Sequence, residues 1–233
     1  MENRYDRYDR QLMLPEIGEE GQRKLSEAKV LVVGAGGLGS PISTYLAGAG
    51  VGKIGIVDDD LVSITNLQRQ TLYSEALEGS PKAECARRRL LDLNSTIQVE
   101  AYRLRVSAEN VNELVSGYDI VVDATDNFST RYVLSDACAA VHKPLVHGAI
   151  NALDGCVSVL CVGRCTFRTL YPDQEETLSM PHPGRAVVGV TPAVVGSVQA
   201  SQVLQLICGY GEPLIDQLWT VNLRNMQTYI IEL

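Results

Sequence analysis

Two short apolar runs stand in the first quarter of the chain. Lys29–Val33 (KVLVV) leads directly into a glycine-rich turn, and Lys53–Val57 (KIGIV) ends in three aspartates. Unbroken apolar runs of this length are typical of strands that are buried on both faces, as in parallel sheets. Between them, residues 41–49 predict a helix that stops at Gly50. The three segments together predict a β-α-β unit.

Strands and helices continue to alternate further along the chain. A helix is predicted over 81–93. Further strands are predicted over 97–102, 119–122, 144–150 and 155–161. The alternation of apolar positions over 157–170 favours antiparallel strands, and 217–232 is predicted as a closing hairpin. The apolar segment 191–208 contains proline and several glutamines, which favours a buried helix over a membrane span.

We expect these elements to form one α/β domain over residues 1–233. Its sheet is expected to be Rossmann-like and mostly parallel, with helices on both faces, and to become mixed or antiparallel toward the C-terminus. Residues 1–25 carry charges among isolated aliphatic side chains and predict an N-terminal helical arm, broken near Pro15 and Gly18. Residues 171–186 are polar and rich in proline, and they predict a mobile crossover loop.

Composition excludes several classes of protein. The chain has 233 residues, of which 45% are hydrophobic and 21% charged, as in ordinary folded domains. Its net charge of −8 argues against nucleic acid or an anionic membrane as a partner. The N-terminus lacks the apolar core of a secretory signal, so a cytoplasmic location is expected. The six cysteines form no CxxC pair, so we expect buried thiols rather than a disulfide framework.

The glycine-rich turn after the first strand fits the GxGxxG pattern at Gly34, Gly36 and Gly39. Glycines in this position let backbone N–H groups and the positive end of the following helix approach a phosphate. Asp58, at the tip of the second strand, can accept hydrogen bonds from ribose hydroxyls. This pattern predicts a nucleotide site; the alternative is a glycine turn that only packs a helix on a strand.

The residues after the second strand indicate which nucleotide is bound. Asn66, Arg69 and Lys82 lie within one loop and one helix start, where they suit the three phosphates of ATP better than the two of NAD. An NAD-dependent oxidoreductase would also need a group that handles protons beside the nicotinamide. The histidines show no such pattern and are interpreted as structural or surface residues: His142, His147 and His182.

Two aspartates follow the fourth predicted strand in the segment DIVVDATDN. Asp123 and Asp126 lie at the carboxyl end of this strand, the side where α/β sheets bind ligands. Asp126 is either the N-cap of a helix that starts at Ser129 or a magnesium ligand.

Five motifs occur in order along the chain: RYDRQ (7–11), GAGGLG (34–39), DDDLVSITNLQRQ (58–70), GSPKAECA (79–86) and DATDN (123–127). With this combination the chain resembles the ThiF, MoeB and HesA family, the bacterial relatives of ubiquitin-activating enzymes, and we expect it to be ThiF-like. The resemblance implies a homodimeric adenylyltransferase that binds ATP and magnesium. Its substrate would be a small ubiquitin-fold sulfur carrier (ThiS- or MoaD-like), whose C-terminal Gly-Gly carboxylate becomes an acyl-adenylate as pyrophosphate is released.

The resemblance also implies residue roles. Gly36 and Gly37 would line the phosphate turn, and Asp58 would hold the ribose. The residues expected to contact phosphates are Asn66, Arg69 and Lys82. Asp126 matches the magnesium aspartate of the family, and Arg10 matches an arginine that reaches into the active site of the neighbouring subunit. Arg10, Arg69, Lys82 and Asp126 are therefore the expected catalytic residues.

The chemistry agrees with these residue types. A C-terminal carboxylate is already ionised at pH 7, so it can attack the α-phosphorus without a general base. Cations need only offset the repulsion between like charges and align the reactants. The absence of a Ser-His-Asp or Cys-His set from the sequence pattern is consistent with this mechanism.

The chain departs from the family pattern in two places. Thr166 and Thr169 stand where many relatives have a zinc-binding cysteine pair, so no zinc is expected. Residues 180–188 lack the cysteine with which several relatives bind their carrier covalently, so we expect the reaction to stop at the acyl-adenylate or to pass to another protein's persulfide. His182 in this loop is interpreted as a surface residue.

Three alternatives remain open on the sequence alone. The same nucleotide site would serve an enzyme that adenylates a peptide or another small carboxylate. An NAD-dependent oxidoreductase would use the same glycine turn. A non-catalytic partner subunit would keep the fold without the reaction.

Overall fold

A computed structural model describes residues 6–180 and 186–233 of the chain. Within these ranges the strands are β1 (Lys29–Val33), β2 (Lys53–Val57), β3 (Gln98–Tyr102), β4 (Ile120–Asp123), β5 (Leu145–Asn151), β6 (Asp154–Leu160), β7 (Gln217–Asn222) and β8 (Gln227–Glu232). The α-helices are α1 (Asp9–Leu12), α2 (Gly18–Glu27), α3 (Gly39–Ala49), α4 (Lys82–Leu93), α5 (Val111–Ser116), α6 (Phe128–Ala140), α7 (Phe167–Leu170), α8 (Gln174–Ser179) and α9 (Val190–Cys208). Short 3₁₀ turns cover Asp6–Tyr8, Ile64–Asn66 and Glu75–Leu77.

All eight strands form one sheet in the order β3-β2-β1-β4-β5-β6-β7-β8. The first five strands in this order run parallel, and the pairs β5-β6, β6-β7 and β7-β8 are antiparallel. This arrangement confirms the predicted fold class. It also confirms the closing hairpin, which β7 and β8 form.

The apolar run of β1 is unbroken because the two faces of the sheet are both covered. Val30 and Val32 belong to a core that includes residues of α3 and α9, whereas Leu31 and Val33 belong to a second core that includes residues of α5 and α6. Successive side chains of a strand point to opposite faces, so every position of β1 after Lys29 is buried.

Helix α9 is attached to the sheet by polar as well as apolar contacts. Gln199 donates hydrogen bonds to the backbone carbonyls of Asp123 (2.8 Å) and Val146 (3.1 Å). Gln202 accepts a hydrogen bond from the backbone N–H of Leu214 at 2.7 Å. Within the described ranges α9 is the one helix whose length and composition would allow it to cross a bilayer. Its glutamines instead satisfy backbone groups of the fold.

Two segments differ from the sequence prediction. The alternation over 157–170 does not continue as strand, because β6 ends at Leu160 and α7 begins at Phe167, whose ring is fully buried. The crossover segment 171–186 is not entirely loop, because α8 forms within it. Asp173 caps this helix by accepting a hydrogen bond from the backbone N–H of Glu176 at 2.9 Å. Residues 1–5 of the N-terminal arm and 181–185 of the crossover segment, including His182, lie outside the described residues.

Candidate active site

A cleft of about 1040 Å³ opens at the carboxyl ends of β1, β2 and β4. In the sheet, β2 lies on one side of β1 and β4 on the other, so the order in which the chain adds strands reverses at β1. The cleft lies at this point. Ligands of open α/β sheets bind at such switch points. The cleft is lined by seven of the eight residues predicted for catalysis or nucleotide binding: Gly36, Gly37, Asp58, Asn66, Arg69, Lys82 and Asp126.

The glycine loop between β1 and α3 is packed so closely that side chains are excluded. Gly34 has a φ of +98°, and a Cβ there would lie 2.5 Å from the carbonyl oxygen of Ala124. A Cβ at Gly39 would lie 1.9 Å from the carbonyl oxygen of Gly34. These contacts bring the first turn of α3 close to the end of β1. The loop therefore has the geometry of an anion-binding turn.

Alanine at Gly39 is expected to destabilise the fold by about 3 kcal/mol or more, because the added methyl group meets backbone that cannot rotate away. At Gly48, in the last turns of the same helix, an added Cβ would have no atom within 4 Å. Gly48→Ala is therefore the matched control and should be neutral or stabilising by up to about 1 kcal/mol. Urea unfolding of both variants tests this prediction, and equal stabilities would contradict it.

Asp58 connects the glycine loop to the end of β2. Its carboxylate accepts hydrogen bonds from the backbone N–H groups of Ala35 (2.8 Å) and Asp60 (2.9 Å). Burial raises the pKa of this carboxyl, against the opposing effect of the two hydrogen bonds and of the nearby Lys82 ammonium. The structure thus gives Asp58 a scaffolding contact that the sequence did not predict, while its predicted contact with ribose stays a prediction.

The raised pKa of Asp58 predicts a pH dependence of nucleotide binding. As the pH falls, Asp58 takes up a proton above the usual range near pH 4 and loses its charge as a hydrogen-bond acceptor. Lowering the pH from 7.5 to 5.5 should therefore weaken binding of the ATP analogue AMPCPP more in the wild type than in Asp58→Asn. At pH 7.5 the variant should bind about tenfold more weakly or worse.

Calorimetric titration at both pH values measures this effect, and the nucleotide's own protonation cancels in the comparison of the two proteins. Asp59→Asn, at the next residue of the cleft, is the matched control and should keep the wild-type pH dependence. If lowering the pH from 7.5 to 5.5 reduced the affinity for AMPCPP equally in wild type and in Asp58→Asn, the predicted role of Asp58 would be contradicted.

The predicted cations reach the cleft from the segment between β2 and α4. Lys82 begins α4 and is only 4% exposed, and its Nζ lies 2.8 Å from Oδ2 of Asp60. Arg69 donates a hydrogen bond from Nη1 to the carbonyl of Thr65 at 3.2 Å. Asn66 ends a 3₁₀ turn on the same segment. The sequence separation between Asn66 and Lys82 therefore does not prevent all three from lining one cleft.

The turn after β4 separates two aspartates into different environments. Asn127, not Asp126, caps α6, since its side chain accepts a hydrogen bond from the backbone N–H of Thr130 at 2.9 Å. The alternative interpretation of Asp126 as an N-cap is therefore wrong. Asp126 is exposed at the cleft and makes no hydrogen bond or ion pair with any residue that the structure describes. Asp123 is fully buried and does not line the cleft.

Gln70 and Arg131 are among the polar residues of the cleft that were not predicted. Gln70 is 4% exposed, and its Oε1 has no hydrogen-bond partner among the described residues. Arg131 donates from Nη2 to the carbonyl of Thr125 at 2.7 Å and lies against the Phe128 ring. Gln70 is the last residue of the motif DDDLVSITNLQRQ, so its position was a usable signal. Nothing in the helix pattern around Arg131 distinguishes it from a surface arginine.

The residues present fit a nucleotide with several phosphates. The glycine turn leaves open space beside Gly37. A Cβ at this residue would lie 3.1 Å from Cβ of Pro192 and would narrow that space. The amide nitrogen of Gln70 would lie 3.4 Å from a Cβ at Gly36, and the Lys82 ammonium lines the same cleft. Backbone N–H groups and a buried cation are the donors that phosphate oxygens accept from.

Arg10 does not line the cleft of its own chain. It is exposed on α1, in the N-terminal arm. An arginine that serves the neighbouring subunit would lie outside its own cleft, so this position is compatible with the predicted role, which stays a prediction.

The two threonines that stand where many relatives have a zinc-binding cysteine pair have a local structural role. Thr166 and Thr169 form a capping box around α7, in which the backbone N–H of Thr166 donates to Oγ1 of Thr169 at 3.1 Å. Among the described residues, the one group of three possible metal ligands is Asp58, Asp59 and Asp60.

Comparison with known proteins shows the family of the chain. The ThiF family profile matches residues 8–233. The sulfur carrier protein adenylyltransferase of Thermus thermophilus is 47% identical over 221 residues, which cover 91% of this chain and 81% of the relative. The SAMP-activating enzyme E1 of Haloferax volcanii is 44% identical, over 90% of this chain and 78% of its own. The adenylyltransferase and sulfurtransferase MOCS3-1 of Zea mays is 42% identical over 97% of this chain, which spans about half, 49%, of that relative.

Solved structures show the same fold. Escherichia coli MccB with AMPCPP and MccA superposes with a TM-score of 0.85 and 26% identity, over 99% of this chain and 72% of that one. MccB with ATP superposes with a TM-score of 0.81 and 27% identity, over 91% of this chain and 66% of that one. The profile match over nearly the whole sequence, the high identity to named adenylyltransferases and the position of the cleft agree: the chain belongs to the ThiF family and is an adenylyltransferase of that type.

Proposed function

We propose that this chain uses ATP to adenylate the C-terminal carboxylate of a small ubiquitin-fold sulfur carrier protein. The observation that carries the proposal is the convergence of the glycine turn, Lys82, Arg69 and Asp126 on one cleft at the switch point of the sheet. The names of the two relatives, a sulfur carrier protein adenylyltransferase and a SAMP-activating enzyme, support a carrier protein as substrate.

In the proposed reaction the carrier's carboxylate attacks the α-phosphorus of ATP, and pyrophosphate leaves. The carboxylate is ionised at neutral pH, so no residue of the cleft has to remove a proton. The protein must instead offset the repulsion between the carboxylate and the phosphates. Lys82 and Arg69 are the cleft cations suited to this task, and Lys82 is effective because its burial excludes water from its surroundings.

Gly36 and Gly37 would receive the phosphates through backbone N–H groups, and Asp58 would accept hydrogen bonds from the ribose. Asn66 would orient a phosphate from the segment between β2 and α4. Magnesium would be held by Asp126 together with phosphate oxygens, and it would neutralise charge on the triphosphate. The exposed carboxylate of Asp126, without a partner among the described residues, fits this role.

We further propose that the enzyme is a homodimer in which Arg10 completes the neighbouring site. Arg10 is exposed on the N-terminal arm and away from its own cleft, which supports a role toward a second chain. Such a contribution makes the dimer a requirement for catalysis rather than only for stability.

ATP–pyrophosphate exchange tests the proposed substrate. Exchange should depend on a carrier that ends in Gly-Gly, and the matched control is the same carrier without its last glycine, which should support no exchange above background. Exchange that needs no carrier, or that a small carboxylate or peptide supports equally well, would contradict the proposal and favour adenylation of a small substrate.

A further inference from the structure

A buried cluster of titratable side chains lies behind the cleft on one face of the sheet. It consists of Asp123 at the end of β4, His147 on β5 and Cys156 on β6. In the antiparallel register His147 is opposite Ser158 and Cys156 is opposite Ala149, so His147 and Cys156 share a face. The sequence pattern indicated no Cys-His set. The structure places His147 and Cys156 on one face of the sheet, outside the lining of the cleft.

The imidazole of His147 is held in one orientation by a buried carboxylate. Its Nδ1 lies 2.7 Å from Oδ2 of Asp123, which is fully buried. Asp123 also accepts hydrogen bonds from the backbone N–H and the hydroxyl of Thr125, at 3.0 and 2.7 Å. Burial opposes its charge, but the hydrogen bond and charge of His147, the charge of Arg131 and the bond from the Thr125 hydroxyl together lower the pKa of this carboxyl, so it stays ionised. The Nδ1–H of His147 therefore donates to Asp123, which leaves Nε2 for Cys156. This carboxylate–imidazole–nucleophile order is the one in which a side chain is activated by an oriented base.

The surroundings of Cys156 favour its ionised form. Burial by itself would raise the pKa of the Cys156 thiol, but the hydrogen bond and charge of His147, the charge of Arg131 and the backbone N–H of Ala149 outweigh it, so the pKa is lowered. At four other cysteines burial is not outweighed, and the pKa of the thiol is raised. Burial raises the pKa of Cys161 to about 11 and also raises the pKa values of Cys138, Cys165 and Cys208.

Two further features distinguish this place from a structural thiol. Cys156 is partly exposed, whereas the other five cysteines are buried. Two polar atoms of this region, Nε of Arg131 and Oγ of Ser158, are buried without a hydrogen-bond partner in the described part of the chain. Arg131 is only 9% exposed, and its Nε lies 3.7 Å from Oδ2 of Asp123, so this donor belongs to the same cluster. Cys156 therefore keeps some contact with solvent and lies near polar groups that have no hydrogen-bond partner.

From this geometry we propose that Cys156 is a nucleophilic modification site, activated by His147 and Asp123, which takes small uncharged electrophiles. With iodoacetamide as the probe, the sulfur of Cys156 forms a bond to the methylene carbon while the carbon–iodine bond breaks and iodide leaves. The proton of the thiol has already moved to His147 and is then released to solvent. The narrow access to a partly buried thiol selects for small reagents.

The charged and titratable groups that face the thiol set the expected pH profile. They are Asp123 from β4, Arg131 from α6, His147 from β5 and Tyr171 from the segment after α7. Although burial opposes ionisation, the hydrogen bond and charge of His147 and the charge of Arg131 lower the pKa of the Cys156 thiol, so its thiolate fraction at acidic pH exceeds that of an ordinary thiol with a pKa near 8.5. Asp123 contributes by stabilising the protonated imidazole of His147. The phenol of Tyr171 stays neutral over this range because burial raises its pKa.

Alkylation of the folded and the urea-unfolded full-length chain tests the proposal. Peptide mass spectrometry gives the rate at Cys156 in both states, and Cys156→Ser confirms which peptide carries the label. Restricted access slows alkylation of Cys156 in the folded chain by the same factor at pH 6 and at pH 9. A change between the two pH values in the ratio of the folded to the unfolded rate therefore reports a difference in thiolate fraction. We expect this ratio to be about tenfold higher at pH 6 than at pH 9. An equal or lower ratio at pH 6, or no label at Cys156 in the folded chain, would overturn the proposal.

A second variant separates activation from simple exposure. His147→Gln keeps an N–H group that can donate to Asp123 but cannot take a proton from the thiol, so the excess at pH 6 should disappear. His142→Gln changes an exposed histidine and should keep it. If His147→Gln keeps the higher folded-to-unfolded rate ratio at pH 6, the proposal is overturned. If this variant does not fold, the rate ratios of the wild-type chain at the two pH values decide the test.

Discussion

Alanine at Asp126 or at Arg69 is expected to lower ATP–pyrophosphate exchange by about 10²-fold or more while leaving the unfolding temperature unchanged. Asp126 is exposed and has no partner among the described residues, so its removal leaves no buried group unsatisfied. Arg69 loses one hydrogen bond to the carbonyl of Thr65, on a partly exposed segment. Both changes remove charge from the region where phosphates are expected, and neither removes core packing.

Matched controls come from helix α4, outside the cleft. Asp92→Ala and Arg89→Ala make the same chemical changes at exposed positions and should retain wild-type exchange. The comparison requires equal unfolding temperatures for all four variants. If Asp126→Ala and Arg69→Ala both remained active, the assignment of these residues to the site would be wrong.

The second large effect concerns Arg10 and needs two inactive proteins. Arg10→Ala should lower ATP–pyrophosphate exchange to a similar degree, because each active site of its dimer would lack the arginine that the neighbouring chain supplies. When Arg10→Ala and Asp126→Ala chains are unfolded together and refolded as a mixture, each mixed dimer has one complete site: an intact Asp126 cleft with Arg10 from the other chain. Random pairing makes half of the dimers mixed, so activity should return to about a quarter of the wild-type value.

This recovery distinguishes an arginine shared between subunits from one that acts within its own chain. If Arg10 served its own cleft, each chain of the mixed dimer would lack one essential residue and the mixture would stay inactive. Arg7→Ala, three residues earlier in the arm, is a control for damage to the arm. Arg7 donates to the carbonyl of Leu93 at 2.7 Å, so this change should affect stability more than exchange.

The class of the sheet and the place of the cleft could be predicted from the sequence, because both depend on local patterns. The apolar runs of β1 and β2 identify strands that are buried on both faces, and the carboxyl ends of parallel strands lie on one edge. Residues that follow different strands, such as Asp58 and Asp126, are brought together by that geometry alone. The glycine spacing adds the turn between β1 and α3.

The different environments of Asp123 and Asp126 could not be predicted. Both aspartates lie near the end of one strand, and only the tertiary structure decides that Asp123 is buried while Asp126 stays exposed. Helix α8 was missed because polar residues and prolines hide a helix whose start depends on one cap, Asp173.

The pairing of His147 with Cys156 was missed for a different reason. It depends on the register of the β5-β6 hairpin, and a shift of one residue would place the two side chains on opposite faces of the sheet. The strands predicted over 144–150 and 155–161 left the two-residue turn between Asn151 and Asp154 unrecognised, so the proximity of His147 and Cys156 appears only in the structure.

A crystal structure of this chain with AMPCPP and magnesium would test the central claim most directly. We expect the triphosphate against Gly36 and Gly37, with Arg69 and Lys82 contacting its oxygens and the ribose beside Asp58. The α-phosphorus should face open space that a carrier's chain end can enter. Nucleotide bound elsewhere, or a cleft filled by protein side chains at saturating AMPCPP, would contradict the account.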